Sequence, residues 1–257
     1  MDFLLVSDLH IDENNFDIKE FDREENKDRI LLNLGDTFTY TPFAAKHIVG
    51  MMNKLSHYFK YVVFCLGNHD FYGQTIPKMY EDVYKELKLR DNPKLIFLDG
   101  KTIFTVPNAN IEIFGDVLWS WMPPQSKEQN IEDYMKILSS IDGGHLKFSE
   151  TNTINKNSLD SIKNFLQNGN GKTKIVATHF PPKYYDQGFP TSWLTYYFHN
   201  DKTTNKWFDE AWTDNIIWCH GHTHTRYTKK YMNSYIYSNA RGYSLKPKYF
   251  PMLITID

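Results

Sequence analysis

The sequence predicts an α/β protein, and three observations carry that prediction. Short apolar runs rich in Val, Ile and Phe recur along the chain, helical repeats lie between several of them, and most of the runs are continuous. Continuous runs are expected of strands covered on both faces, as in sheets flanked by helices. The runs, in order, are Phe3–Val6, Ile30–Leu34, Tyr61–Leu66, Leu95–Leu98, Ile111–Phe114, Lys174–Ala177 and Ile216–Cys219, followed by Tyr235–Tyr237 and Met252–Ile256. A first helix is expected from Thr41-Pro42, read as an N-cap with Pro in the first turn, with Ile48, Met51, Leu55 and Tyr58 on one face. Tyr80, Val83 and Leu87 repeat that spacing, as do Leu159, Ile162 and Phe165, and Ile131, Tyr134 and Leu138 form a shorter example. After Thr225 the runs follow one another with little room for helices, which predicts antiparallel pairing through short connections.

Composition excludes several classes. Of 257 residues, 29 are Lys or Arg and 31 Asp or Glu, a formal charge of −2 that argues against an overall basic nucleic-acid binder. Apolar residues at 41% and charged residues at 23% exclude wholesale disorder. No apolar run is long enough to span a bilayer, and Met1-Asp2 lacks the basic start of a secretory signal. Two cysteines, Cys65 and Cys219, make no disulfide framework and suit a reducing compartment. The expectation is a soluble, cytoplasmic protein without a membrane partner. No repeat and no composition shift divides it. Trp119–Pro124 and Lys183–Trp212 are dense in aromatics and Pro; they read either as substrate-lining loops or as cover for the edge of the core.

Five polar clusters each follow an apolar run: Ser7-Asp8-Leu9-His10, Gly35-Asp36, Gly67-Asn68-His69-Asp70, Thr178-His179 and Gly221-His222-Thr223-His224. Functional groups gather at the carboxyl ends of strands in α/β sheets, so the five should converge. Each has an ordinary explanation alone: an Asp after a strand is commonly a turn residue, and a single His commonly a satisfied one. His220, His47, His57, His145 and His199 take that ordinary reading. Five coincidences in register with strand ends do not. The set offers carboxylates (Asp8, Asp36), imidazoles (His10, His179, His222, His224) and an amide oxygen (Asn68), with no thiolate. Such donors suit Mn, Fe, Zn, Co or Ni, whereas a structural zinc site would normally use cysteines. Seven ligands exceed the needs of one ion and point to two ions sharing a carboxylate. In Asp8-x-His10 and His222-x-His224, alternate residues of an extended segment can reach one centre.

The order D-x-H, G-D, G-N-H-D, H and G-H-x-H resembles the calcineurin-like metallophosphoesterase superfamily, from Asp8 to His224. Leu118-Trp119 and Asn239-Ala240-Arg241-Gly242-Tyr243 resemble its small bacterial and phage members. The resemblance implies one domain over residues 1–257, a four-layer α/β/β/α sandwich whose two mixed sheets carry a dinuclear site at one edge. It implies Asp8, His10 and His224 on one ion, Asn68, His179 and His222 on the other, and Asp36 bridging them. Manganese is the expected metal. Hydroxide bridging two ions is a nucleophile available near neutral pH. His69 is then expected to face the substrate and to give its proton to the leaving group, while Asp70 either orients His69 or caps the turn.

Departures from the family pattern narrow the substrate. The protein Ser/Thr phosphatases carry G-D-x-V-D-R-G and G-N-H-E; here Thr39 and Tyr40 replace the Asp and Arg, and Asp70 the Glu. A phosphoprotein substrate is therefore not expected. Arg241 is a candidate phosphate ligand, since a guanidinium matches phosphate bidentately, or else it makes a surface ion pair. The resulting expectation is a metal-dependent hydrolase of a small phosphomonoester or phosphodiester, a nucleotide among the candidates, whose base could stack on the aromatic loops. A nuclease is the alternative with the same chemistry, and a non-catalytic scaffold the alternative from another class.

Overall fold

A computed structural model describes residues 1–13, 17–40, 42–122, 131–182, 216–231, 234–243 and 249–256. Among the described residues eleven strands form two sheets. The first contains β1 (Asp2–Val6), β2 (Ile30–Leu34), β3 (Tyr61–Cys65), β4 (Leu95–Phe97) and β11 (Met252–Thr255), in the order β11-β1-β2-β3-β4. The second contains β5 (Phe104–Thr105), β6 (Ile111–Phe114), β7 (Thr173–Thr178), β8 (Ile216–His220), β9 (Arg226–Tyr231) and β10 (Ser234–Asn239), in the order β5-β6-β7-β8-β10-β9. β1 through β4 run parallel, as do β6, β7, β8 and β10; the edge strands β11, β5 and β9 pair antiparallel with their neighbours.

The continuous apolar runs have the expected cause. Phe3 and Leu5 of β1 join Leu32, Val63, Ile113, Ile175 and Cys219 in a core between the two sheets. Their neighbours Leu4 and Val6 face the other way, toward the helices α1 (Ala44–Leu55) and α2 (Ile76–Arg90). Ile48, Val49, Met52 and Leu55 of α1 and Met79 and Val83 of α2 are among the buried residues of that layer. A short helix α3 (Asp133–Lys136) precedes α4 (Phe148–Gln167), which lays Ile162, Phe165 and Leu166 on Phe114, Val176 and Trp218 of the second sheet. The layers are therefore helix, sheet, sheet and helix, as expected from the sequence. No helix among the described residues is long and apolar enough to cross a membrane.

Three local readings differ. α1 begins at Ala44 rather than at Pro42, after Phe43 in a left-handed conformation (φ 58°) with no side-chain cap; Thr41 lies outside the described residues. The C-terminal strands are not one antiparallel set: β10 pairs parallel with β8, and β11 crosses to pair antiparallel with β1 in the other sheet. β9 and β5 had no apolar run to announce them, being edge strands of mostly exposed or half-exposed residues. Of the aromatic stretches, Trp119 and Met122 are buried and pack with Phe180 and Phe71 in the core, whereas 123–124 and 183–212 lie outside the described residues.

Candidate active site

Parallel strands in both sheets end at one rim, and the loops leaving them are laced together by their backbones. Asp8 N–H donates to Gly35 O (3.0 Å), His10 N–H to Asp36 O (3.2 Å), Gly221 N–H to His179 O (2.9 Å) and Gly242 N–H to Asp8 O (3.1 Å). Gly67 and Gly221 permit this closeness, because a Cβ at either would overlap the side chain of Asp36 or of Ser7. The loops are also strained. Of nine non-glycine residues with positive φ among the described residues, five are Asp8, His10, Asp36, His222 and His224. A left-handed L-residue costs about 1–2 kcal/mol, and such strain clusters at functional sites where packing over-determines it.

The side chains of these residues converge. His10 Nε2 lies 3.4 Å from His224 Nε2, and His224 Nε2 lies 3.3 Å from Asp8 Oδ1. His179 Nε2 lies 3.4 Å from Asp36 Oδ2 and 2.9 Å from Asn68 Oδ1. Two groups of donor atoms each fall within 4.8 Å of one another: Asp8, His10 and His224, and Asp8, Asp36 and His179. Asp8 thus belongs to both. His222 donates its backbone N–H to the Asp8 carboxylate and sets its ring 5.2 Å from that of His179, against Phe180.

A second set of contacts aims these donors. His179 Nδ1–H donates to Leu34 O (2.7 Å) and His10 Nδ1 meets Thr39 Oγ1 (2.9 Å), which leaves both Nε2 atoms facing the cluster. Asn68 Nδ2 donates to the buried Asp133 carboxylate (2.9 Å), as does the Tyr72 hydroxyl (2.8 Å), so the amide oxygen of Asn68 is the end presented to His179. Ser7 Oγ donates to Asp8 Oδ2. Asp70 accepts from Gly67 N–H (2.8 Å) and Asp36 N–H (3.1 Å); it ties two site loops together and does not touch the His69 ring. Buried and close to the Asp36 charge, its carboxyl is pushed up to about 8.

The donor chemistry fits a divalent cation. Burial opposes ionisation of Asp8, but the His224 hydrogen bond and the His179 charge bring it down to about 2. Burial likewise opposes charge on Asp36, which is nevertheless lowered by His179 and His69. Burial disfavours the His179 cation, yet the Asp36 carboxylate lifts it to about 9. Two buried anions thus require positive charge among them. Burial lowers His10 to about 4 and pushes His222 down as well, holding both rings in the neutral form that binds metals.

His69 is held differently. Its N–H donates to Asp36 Oδ1 (3.0 Å), its Nδ1–H to Thr39 O (3.2 Å), and its Nε2 meets the Tyr243 hydroxyl at 2.7 Å. Arg241, expected at the substrate, is placed elsewhere. Its guanidinium lies 6.0 Å from the Tyr249 ring centre and lines a cavity of about 700 Å³ with Glu20, Arg23 and Arg29. The left-handed Gly242 (φ 75°) separates it from Tyr243, the side chain that does reach the histidines. His220 is buried and bonded to the Tyr227 hydroxyl (2.5 Å), apart from the cluster.

The model of the calcineurin-like phosphoesterase family matches residues 1–226. The chain belongs to that family. Its reaction class is phosphoester hydrolysis. Among solved structures it is similar to the phosphopantetheinyl hydrolase PptH of Mycobacterium tuberculosis (15% identity, TM-score 0.71, covering 99% of this chain and 96% of that one). It is also similar to a candidate 5′-nucleotidase of Staphylococcus aureus (15%, TM-score 0.50, covering 94% of this chain and 49% of that one). A third is GAP50 of Plasmodium, described as the anchor in the inner membrane complex (14%, TM-score 0.50, covering 94% and 71%). At these identities the likeness shows the fold alone. No curated protein matches the chain by sequence.

Proposed function

We propose that this phosphoesterase hydrolyses a small phosphomonoester or phosphodiester, a nucleotide among the candidates, at a pair of divalent ions, manganese first among them. The observation that carries the reading is the meeting of nitrogen and oxygen donors, without thiolate, from loops of both sheets. Asp8, His10 and His224 would hold one ion, and Asn68, His179 and His222 the other, with Asp36 between them. Nitrogen and oxygen donors suit Mn, Fe, Co, Ni or Zn, and the carboxylates favour the harder of these. When bound, such ions supply a water of lowered pKa and neutralise charge on the phosphoryl oxygens. The protein's own groups do the rest. Asp8 and Asp36 keep the anionic charge that retains the ions, Thr39 and Leu34 fix ring orientations, and His69 holds a proton at Nε2 for the departing oxygen. A net charge of −2 favours a small molecule over nucleic acid, as does the fold relative named for phosphopantetheinyl hydrolysis. In keeping with that reading, the chain is proposed to act as one domain in the cytoplasm.

The purified protein is expected to turn over para-nitrophenyl phosphate or its bis-aryl diester with Mn²⁺, to lose that activity on chelation and to recover it when Mn²⁺ is returned. Absence of turnover with any divalent ion, together with absence of bound metal, would leave the scaffold reading. The Asp133 contact gives a second check. Partners that orient metal ligands typically contribute 10–100-fold in affinity. Asp133→Ala frees the Asn68 amide to turn, so Mn²⁺ affinity measured by calorimetry is expected to fall about 10–100-fold; an unchanged affinity would remove Asn68 from the ligand set.

A further inference from the structure

We propose that the exposed Asp12 is a positioning residue for His10, acting through Thr39, an inference that rests on His10 serving as a metal ligand. The loops leaving β1 and β2 are zipped together by their backbones. His10 N–H donates to Asp36 O (3.2 Å) and Ile11 N–H to Thr37 O (3.0 Å). Asp12 closes the zip with its side chain. Its Oδ1 accepts Thr39 N–H (2.7 Å) and its Oδ2 accepts Tyr40 N–H (2.9 Å), so both oxygens are taken up by consecutive amides. Glu13 N–H returns to His10 O (3.0 Å), which holds Asp12 in a turn that starts at His10 itself.

Thr39 is left with two further polar groups, and each meets a histidine. Its Oγ1 lies 2.9 Å from His10 Nδ1, and its carbonyl accepts His69 Nδ1–H at 3.2 Å. With Nδ1 engaged by Thr39, His10 turns Nε2 toward His224 Nε2, 3.4 Å away. The loop that carries Thr39 has little apolar anchor past Phe38, which packs against the core: Tyr40 and Phe43 are 56% and 81% exposed. Its position therefore rests on polar contacts, and hydrogen bonds to a carboxylate are roughly twice as strong as neutral ones. No proton moves in this role. The carboxylate holds a pair of amides, the amides hold Thr39, and Thr39 aims the ring.

The test pairs Mn²⁺ affinity, measured by calorimetry, with backbone amide exchange, measured by NMR on the metal-free protein. Thr39→Val keeps the shape and removes the hydroxyl; it is expected to weaken Mn²⁺ binding about 10–100-fold, the usual contribution of a partner that orients a metal ligand. Asp12→Ala should weaken it about tenfold, the lower end of that range, because it acts at one remove. It should also speed amide exchange at Thr39 and Tyr40 before any metal is added. Asp12→Asn keeps one accepting oxygen and should recover part of both losses. Since Asp12 works through Thr39, the double variant Asp12→Ala/Thr39→Val should bind little more weakly than Thr39→Val alone. Glu13→Ala removes an exposed carboxylate one residue away and should change neither readout. The proposal is overturned if Asp12→Ala speeds exchange at unchanged Mn²⁺ affinity, if the two single losses simply add, or if Glu13→Ala weakens binding as much as Asp12→Ala. Unaltered protein that binds no divalent ion would instead overturn the metal reading beneath it, before any variant is compared.

Discussion

Replacing Asp36 with alanine is expected to empty the site, lowering divalent-ion affinity more than ~100-fold and removing measurable turnover. The bound comes from partners that merely orient ligands, which already contribute about 10–100-fold. Asp36 is 1% exposed and stands where the two sheets' loops meet. Its carboxylate faces His179 from the second sheet and accepts the His69 N–H from the first, and its backbone binds Asp70 and His10. Removing it therefore deletes one of the two buried anions of the site. Asp36→Asn keeps the shape and the hydrogen bond from His69 while deleting only the charge, so it separates a folding defect from a binding one. Elemental analysis of the purified variants, with Mn²⁺ titration by calorimetry, gives the answer. Full metal content at unchanged affinity in both would show that Asp36 holds no ion.

His69→Asn is the complementary case, because here the metal should stay. His69 falls outside both donor groups, its Nδ1–H is committed to Thr39, and its Nε2 meets the Tyr243 hydroxyl. General acid catalysis contributes about 10²–10⁴-fold, so kcat toward an alkyl ester is expected to drop within that range at unchanged metal content. Depletion of metal to the level of the Asp36 variants would make His69 a ligand instead.

How much of this was legible in the sequence depends on what each residue's neighbours demanded. Ile30–Leu34 showed itself because both faces of β2 are covered, one by the opposite sheet and one by helices, so every position but Asn33 is apolar. The five polar clusters were visible because each interrupts such a run where its strand stops. Arg226–Tyr231 was invisible for the opposite reason: at the sheet edge, water faces most of its side chains and allows Arg, Thr and Lys in a strand. β11 could not be assigned to a sheet, since an apolar run carries no record of which neighbour it pairs with. Tyr243 was named in its motif but given no role beside Arg241, because charge draws attention to a phosphate site, whereas the turn at Gly242 decides which of the two side chains reaches the histidines. Asp133 had no motif at all. Its role exists only in the fold, 65 residues from the amide it orients.

The candidate ligands come from both halves of the sandwich: Asp8, His10, Asp36 and Asn68 from loops of the first sheet, His179, His222 and His224 from loops of the second. An ion seated among them would act as a rivet through two plates. Loading and docking of the halves then become one equilibrium, so that a cation raises the melting temperature in proportion to its hold. Damage buried deep between the plates, far from any ligand, would surface first as a weakened grip on the ion.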